Sequence, residues 1–234
     1  LMNYGYAHEH SNGFPVSLDD SDKEEFVFSW QLIYETVKEG NVSGKDVLVV
    51  GCGRGGDAYF IQRYLNAKSV IGVDLSERAV AICQKNKSYQ IQGLSFQTGD
   101  AENLPFESQR FDAVVNIESS HCYPNVGRFY KEVHRVLKPG GFLLYTDFFE
   151  DSQNKVLKDL FLEAGFGIIN EVDITQNVLW AAELGYGQRK EFVQKSVPSF
   201  LTNDALEWSG TKDSPTYRAF KEGLLSYKRF VLRS

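Results

Sequence analysis

The chain of 234 residues has no apolar run long enough to cross a bilayer. Its opening, LMNYGYAHEH, lacks both the basic start and the apolar stretch of a secretory signal. A cytoplasmic protein without membrane insertion is the expectation. Cysteine is scarce: Cys52, Cys83 and Cys122 are odd in number and fall in no metal or disulfide spacing, so reduced thiols are expected. There are no internal repeats and no low-complexity tracts. An excess of positive charge is also missing. A formal charge of −6 and a pI near 5.3 leave no electrostatic footprint for nucleic acid, whose phosphates supply much of the affinity of its binders. The charge is uneven, however, acidic over residues 1–175 and net basic over 176–234. The C-terminal part is therefore the likelier face for an acidic partner or substrate, although a plain solvated surface is the favoured reading.

What is present suits one domain: 42% hydrophobic and 24% charged residues over a length that can bury a sizeable core. Asp46–Val50 (DVLVV) reads as a β-branched strand running into a glycine cluster. A helix near Asp57–Leu65 and a strand at Ser69–Val73 complete a βαβ unit. The alternation goes on with helix Glu77–Lys87, strands Leu94–Thr98 and Phe111–Ile117, helix Gly127–Leu137 and strand Gly141–Asp147. Helix Lys155–Ala164 and strands Gly167–Ile174 and Tyr227–Leu232 follow. Strands alternating with helices predict an α/β fold with a mostly parallel sheet covered on both faces. The expected layout is an N-terminal arm and helix over 1–40, a core over 45–175, an insert over 176–226 and a last strand over 227–232. The insert is too long for a bare loop. It carries Trp180, Phe192, Phe200, Trp208, Tyr217 and Phe220 among charged residues. It reads as mostly helical, a cap over the active site, or simply aromatic packing onto the sheet.

The turn Val50–Gly56 (VGCGRGG) joins the first strand to the first helix of this unit, where glycines permit a tight bend and close approach of a ligand. Alone it fits NAD, FAD or a structural turn. The next strand ends at Asp74, where a carboxylate can accept both hydroxyls of a ribose. The third ends at Asp100, placed to accept from an adenine amine. An NAD-dependent oxidoreductase shares the glycine turn and the distal acid, but not the later motifs.

VLVVGCGRGG, GVDLS, GDAENLPF, RFDAVVNIESSHCY and RVLKPGGFLLY, spanning Lys45 to Asp147, resemble the class I S-adenosylmethionine (SAM)-dependent methyltransferases in order and spacing. The resemblance implies a Rossmann-like, doubly wound seven-stranded sheet with an antiparallel last strand, and SAM as cofactor. It further implies contacts from Gly51 and Gly53 to the methionine part of SAM, from Asp74 to the ribose, and from Asp100, Ala101 and Leu75 to the adenine, with Asn116 beside the methionine amine. Tyr4 and Tyr6 would close over SAM, or merely pack the arm.

MNYGY, ESSHCYP, DITQNV and SPTYRAFKEGLLSYKRFVL resemble a bacterial branch of small-molecule O-methyltransferases acting on polyketides, complex lipids and their sugars, including polyketide synthase O-methyltransferase domains. The implied acceptor is a small-molecule hydroxyl, in a synthase a β-hydroxyacyl chain on an acyl carrier protein. The leading Leu1 would suit an excised domain, and a free-standing enzyme is the other reading. C- or N-methylation, and an inert SAM-fold binding module, are the alternatives.

An alcohol must lose a proton as it attacks the methyl carbon. In Glu118–Ser119–Ser120–His121 the two ionisable residues would share a face if the loop takes a helical turn. His121 is then the expected general base, with Glu118 fixing its tautomer and stabilising the imidazolium. Metal assistance is the competing option, with Asp147 as a ligand. No companion cluster accompanies it, and no metal is expected.

Overall fold

The computed structural model describes residues 3–9, 14–19, 27–196, 198, 206, 211–212 and 214–234. Trp208 and Phe200 of the insert lie outside them. The elements are α1 (Val27–Val37), β1 (Asp46–Val50), α2 (Gly56–Tyr64), β2 (Ser69–Asp74), α3 (Glu77–Lys85), β3 (Leu94–Thr98), β4 (Phe111–Ile117) and α4 (Val126–Val136). They continue with β5 (Leu137–Glu150), α5 (Asn154–Glu163), β6 (Gly167–Asp173), α6 (Thr175–Leu184), α7 (Tyr186–Ser196), α8 (Pro215–Lys221) and β7 (Leu225–Arg233).

The strands form one sheet in the order β3-β2-β1-β4-β5-β7-β6. All neighbours are parallel except β7, which runs antiparallel to both β5 and β6. The centre of the sheet is apolar on both faces, as parallel strands covered by helices require. Along β1, Val47 and Val49 join one cluster with Trp30, Phe60 and Val178, while Leu48 and Val50 join another with Phe129, Val133 and Phe161. Period-two alternation thus feeds two cores, one under α1, α2 and α6, the other under α4 and α5. Burial of each such side chain contributes about 1.5–3 kcal/mol.

Helix starts follow local chemistry: Ser76, Asn125 and Ser214 cap α3, α4 and α8 by accepting backbone N–H bonds. Most boundaries fall within two residues of expectation, and β5 departs furthest. β5 begins at Leu137 rather than at Gly141, because Leu137 pairs with Phe111 across a register shift. Gly140, at a φ of 77°, carries the irregular turn inside the strand. It also runs on to Glu150, where β7 supplies a partner in Leu225.

The insert contributes α6 past its first residue, α7 and α8 among its described residues. α6 buries Val178, Ala181 and Ala182, and Phe220 and Tyr217 of α8 are buried as well. Among the described residues no helix is long and apolar enough to cross a membrane.

The order of strands reverses between β1 and β4, the topological switch where open α/β sheets hold ligands beyond the carboxyl ends of their strands. The N-terminal arm lies across this end. Tyr6 N–H donates to Phe28 O at 2.9 Å, and Ala7 exchanges hydrogen bonds with Asn177 of α6 at 3.1 and 2.8 Å.

Candidate active site

On the β1–β2–β3 side, the glycine turn passes through left-handed backbone, and at Gly51 no larger residue fits. Gly51 has a φ of 71°, and a Cβ there would fall 1.9 Å from Ser119 Oγ. Gly53, also left-handed, has open space where a Cβ would stand. Its own backbone groups are used internally: the N–H donates to Asp74 Oδ2 at 2.7 Å and the carbonyl accepts from the Cys83 thiol at 3.4 Å. What Gly53 offers a ligand is therefore its bare Cα face. Asp74 Oδ1 accepts from Ser76 N–H at 2.9 Å, so the carboxylate is held rigid, and each oxygen keeps a lone pair for a hydroxyl. Leu75 beside it is 73% exposed, an apolar platform wide enough for an aromatic base. Asp100 is exposed, accepting from Glu102 N–H at 2.8 Å, with Ala101 buried behind it.

Asn116 is fully buried at the carboxyl end of β4. Its Nδ2 donates to Val50 O at 2.9 Å and to Tyr123 OH at 3.1 Å. Its Oδ1 is buried and has no partner among the described residues. An orphan amide oxygen of this kind is costly unless a donor arrives, and an ammonium group is such a donor. The donor set, the open face of Gly53, the apolar platform and this orphan acceptor together fit SAM.

On the β4–β5–β7 side, the expected pairing of Glu118 with His121 is not formed. Glu118 has a φ of 47°, outside any helical turn, and the short 3₁₀ turn covers only Ser120–Cys122, so the two side chains take different directions. The Glu118 carboxylate accepts from Tyr4 N–H at 2.7 Å and from Tyr227 OH. Burial pushes its carboxyl up to about 8, Tyr227 and the Tyr4 N–H countering only in part. Held in this way, the Glu118 carboxyl makes no hydrogen bond to the His121 ring. Glu118 instead fastens the arm, which Arg189 of α7 grips from the other side by donating to the carbonyls of Asn3 and Tyr4 at 3.3 and 3.2 Å.

The partner of His121 is Asp147, wholly buried on β5. His121 Nδ1 lies 2.7 Å from Asp147 Oδ1, and Asp147 Oδ2 accepts from Ser120 Oγ at 2.8 Å and from His121 N–H at 3.2 Å. The Asp147 hydrogen bond raises the imidazole pKa above its ordinary value, against the effect of burial. It also fixes the tautomer: Nδ1 carries the proton, and Nε2 is left as the basic nitrogen of a side chain that is 34% exposed. The ring sits 4.6 Å from Phe148, which meets Tyr4, Phe220 and Tyr227 at 5.5–6.1 Å, an aromatic wall beside the imidazole.

Tyr4 thus belongs to this wall. Tyr6 is buried in the core, where desolvation pushes its phenol up to about 12. Asp147 enters the sequence reading only as a metal-ligand candidate, yet both its oxygens are occupied by neighbouring donors. Among the described residues no group of three His, Cys, Asp or Glu side chains is placed to hold a metal ion.

The methyltransferase domain family matches residues 48–145. A phthiotriol/phenolphthiotriol dimycocerosates methyltransferase of Mycobacterium leprae is 34% identical over 230 residues, covering 98% of this chain and 83% of that protein. A fatty-acid O-methyltransferase of Mycolicibacterium smegmatis is 34% identical over 222 residues, covering 95% of this chain and 77% of that protein. Among solved structures, Haemonchus contortus phosphoethanolamine N-methyltransferase 2 in complex with S-adenosyl-L-methionine superposes with a TM-score of 0.75 at 20% identity, covering 90% of this chain and 54% of that one. The chain belongs to the class I SAM-dependent methyltransferases. It is an enzyme that uses SAM as its cofactor, and the oxidoreductase and inert-module readings fall away.

Proposed function

We propose that the protein transfers the methyl group of SAM to a hydroxyl of a lipid or polyketide-like small molecule, with His121 as the general base. The observation that carries this reading is the His121–Asp147 pair. A buried carboxylate holds Nδ1 of a half-exposed imidazole, whose Nε2 is free to take a proton beside an apolar wall. Asp147 orients the ring and stabilises the imidazolium that forms when the hydroxyl is deprotonated, the work first expected of Glu118. Phe148, Phe220, Tyr4 and Tyr227 line up an apolar acceptor and exclude water from the reacting atoms. Gly51, Gly53, Asp74, Leu75, Asp100, Ala101 and Asn116 hold the cofactor, the sulfonium of which supplies an activated methyl carbon. Tyr4 and Tyr6 set the arm over this end of the sheet.

The relatives named for dimycocerosates and fatty-acid methylation support a lipophilic acceptor, and the aromatic wall is the surface such a chain needs. Presentation on an acyl carrier protein remains part of the proposal, supported by the basic excess of residues 176–234. The test is SAM-dependent turnover on a panel of long-chain hydroxyacyl compounds, free and carrier-bound, with product masses and fragmentation. A methyl ether on the hydroxyl oxygen is the expected product. Methylation at carbon or nitrogen in that panel, or no methylated product of any acceptor, overturns the proposal.

A further inference from the structure

Ser119 lies between Glu118, which fastens the arm, and Ser120, which donates to Asp147. Its own hydroxyl turns elsewhere, onto the glycine turn: the Cβ that Gly51 lacks would collide with Ser119 Oγ and stand 2.8 Å from Tyr123 OH. The two strands of the topological switch meet at this point, β1 through Gly51 just past its end and β4 through Asn116 and the loop that follows. Three polar side chains form a chain of hydrogen bonds across it. Asn116 Nδ2 donates to Val50 O at 2.9 Å and to Tyr123 OH at 3.1 Å, and Tyr123 OH lies 2.8 Å from Ser119 Oγ.

The direction of each bond follows from what its neighbours can do. Val50 offers only a carbonyl, so the nitrogen of the Asn116 amide faces it. Both hydrogens of that nitrogen are then spent, one on Val50 and one on Tyr123. The Tyr123 phenol accepts from Asn116 and keeps its own proton, because burial pushes its pKa up. Among the described residues the acceptor within reach of that proton is Ser119 Oγ. Ser119 thus accepts, and its own hydrogen is left over, on a half-buried side chain against the glycine turn. The Tyr123 ring sits edge-on to buried Phe129 at 5.0 Å, which limits its freedom to turn. The chain therefore ends in an acceptor that lacks a donor, Asn116 Oδ1, and a donor that lacks an acceptor, the Ser119 hydroxyl.

We propose that Ser119 donates a hydrogen bond to the carboxylate of the methionine part of SAM, with Tyr123 as the positioning residue that aims its proton. An α-amino acid carries an ammonium and a carboxylate on one carbon. The two ends of the chain flank a single phenol and match that pair in sense, Asn116 Oδ1 for the ammonium and the Ser119 O–H for the carboxylate. A hydroxyl whose direction is already set by its neighbours loses little freedom when a ligand arrives. The missing Cβ of Gly51 is what makes room for it.

This role rests on the proposed placement of SAM at the Gly51–Gly53 turn, so two ligands are compared in binding alone. Affinities of SAM and of decarboxylated SAM, which keeps the nucleoside, sulfonium and amine but lacks the carboxylate, are measured by calorimetry with no methyl acceptor present. The wild type should prefer SAM. In Ser119→Ala, SAM should weaken roughly tenfold or more, the scale of one hydrogen bond to a charged group, while decarboxylated SAM changes by less than about twofold. Tyr123→Phe keeps the ring beside Phe129 and removes the phenol, so its preference for SAM over the decarboxylated compound should shrink in the same direction. Equal losses for the two ligands in a folded Ser119→Ala protein, or an undiminished preference in Tyr123→Phe, overturns the proposal. Asp74→Ala, titrated alongside, reports on the placement of SAM itself. Full affinity there would sink that placement, whereas equal losses in Ser119→Ala beside an impaired Asp74→Ala would sink the Ser119 assignment alone.

Discussion

At the ends of β1, β2 and β3 the candidate cofactor site is tied over short stretches of chain, Asp74 reaching Ser76 two residues on and Gly53 twenty-one residues back. At the ends of β4, β5 and β7 the ties are long: His121 to Asp147 spans 26 residues, Tyr227 to Glu118 spans 109, and Tyr4 to Glu118 spans 114. The first half is a backbone cradle with an open face. The second is a set of buried side chains that becomes whole only when the sheet, the arm and the insert have all docked. Substitutions in the first should act on SAM binding with little effect elsewhere. Those in the second should act on turnover and acceptor, and some of them on stability.

The largest effect expected is that of His121→Ala, a fall in turnover of about 10²–10⁴-fold with SAM affinity nearly intact. Rates with the methylated acceptor, and calorimetry with SAM, check both parts. A double variant with Asp147→Asn should be scarcely worse than His121→Ala alone, because the two act as one unit, whereas Glu118→Gln should add its own separate effect. Strong non-additivity between His121 and Glu118 instead would restore Glu118 as the partner of the base.

Asp74→Ala comes next. Loss of charged acceptors for the ribose should cost about 1.5–3 kcal/mol of SAM affinity in a protein that still folds. Phe220→Ala is expected to raise KM for a long-chain acceptor more than it weakens SAM, since Phe220 packs at 5.8 Å from both Tyr4 and Phe148 in the aromatic wall. Equal losses for the two ligands would erase the division between the halves.

A separate effect concerns Glu118 and stability. Its folded pKa of about 8 is above the ordinary carboxylate range, so the folded chain binds more protons than the unfolded one between about pH 4.5 and 8. Stability from this group is full below the unfolded value and is lost as pH rises through about 8. Glu118→Gln should flatten the fall in Tm over that window. An unchanged slope would mean that Glu118 ionises normally in the fold.

The same difference in range decides what the sequence discloses. Glycines, Asp74 and Asp100 stand at the ends of recognisable strands, so their convergence follows from the order of elements alone. His121 is legible as a candidate base for the same reason, since it follows β4 closely. Its partner is not, because proximity along the chain favours Glu118. The structure turns Glu118 away through one left-handed residue, its own backbone at a φ of 47°. Asp147 was within reach of inference: parallel pairing of β4 with β5 sets Ile117 opposite Thr146, which puts the residue after it beside the loop that carries His121. The role of Tyr227 depends on a strand that returns after the whole insert, with Phe148 opposite it in the antiparallel ladder. No local pattern announces that register. The start of β5 was hidden for a different reason, since Pro139 and two glycines read as a turn although one strand, Leu137–Glu150, runs through them.

The most direct test of the account is the pH dependence of kcat/KM in the wild type, Asp147→Asn and Glu118→Gln. On the proposed mechanism neutral His121 is the active form, and Asp147 holds its pKa above the ordinary histidine value, so activity should rise through that raised value as pH increases. In Asp147→Asn the imidazolium loses its partner. The acidic limb should move to lower pH and the plateau should drop, because an amide no longer keeps the proton on Nδ1. In Glu118→Gln the limb should stay close to its wild-type position. A limb that shifts in Glu118→Gln and stays in place in Asp147→Asn would contradict the account.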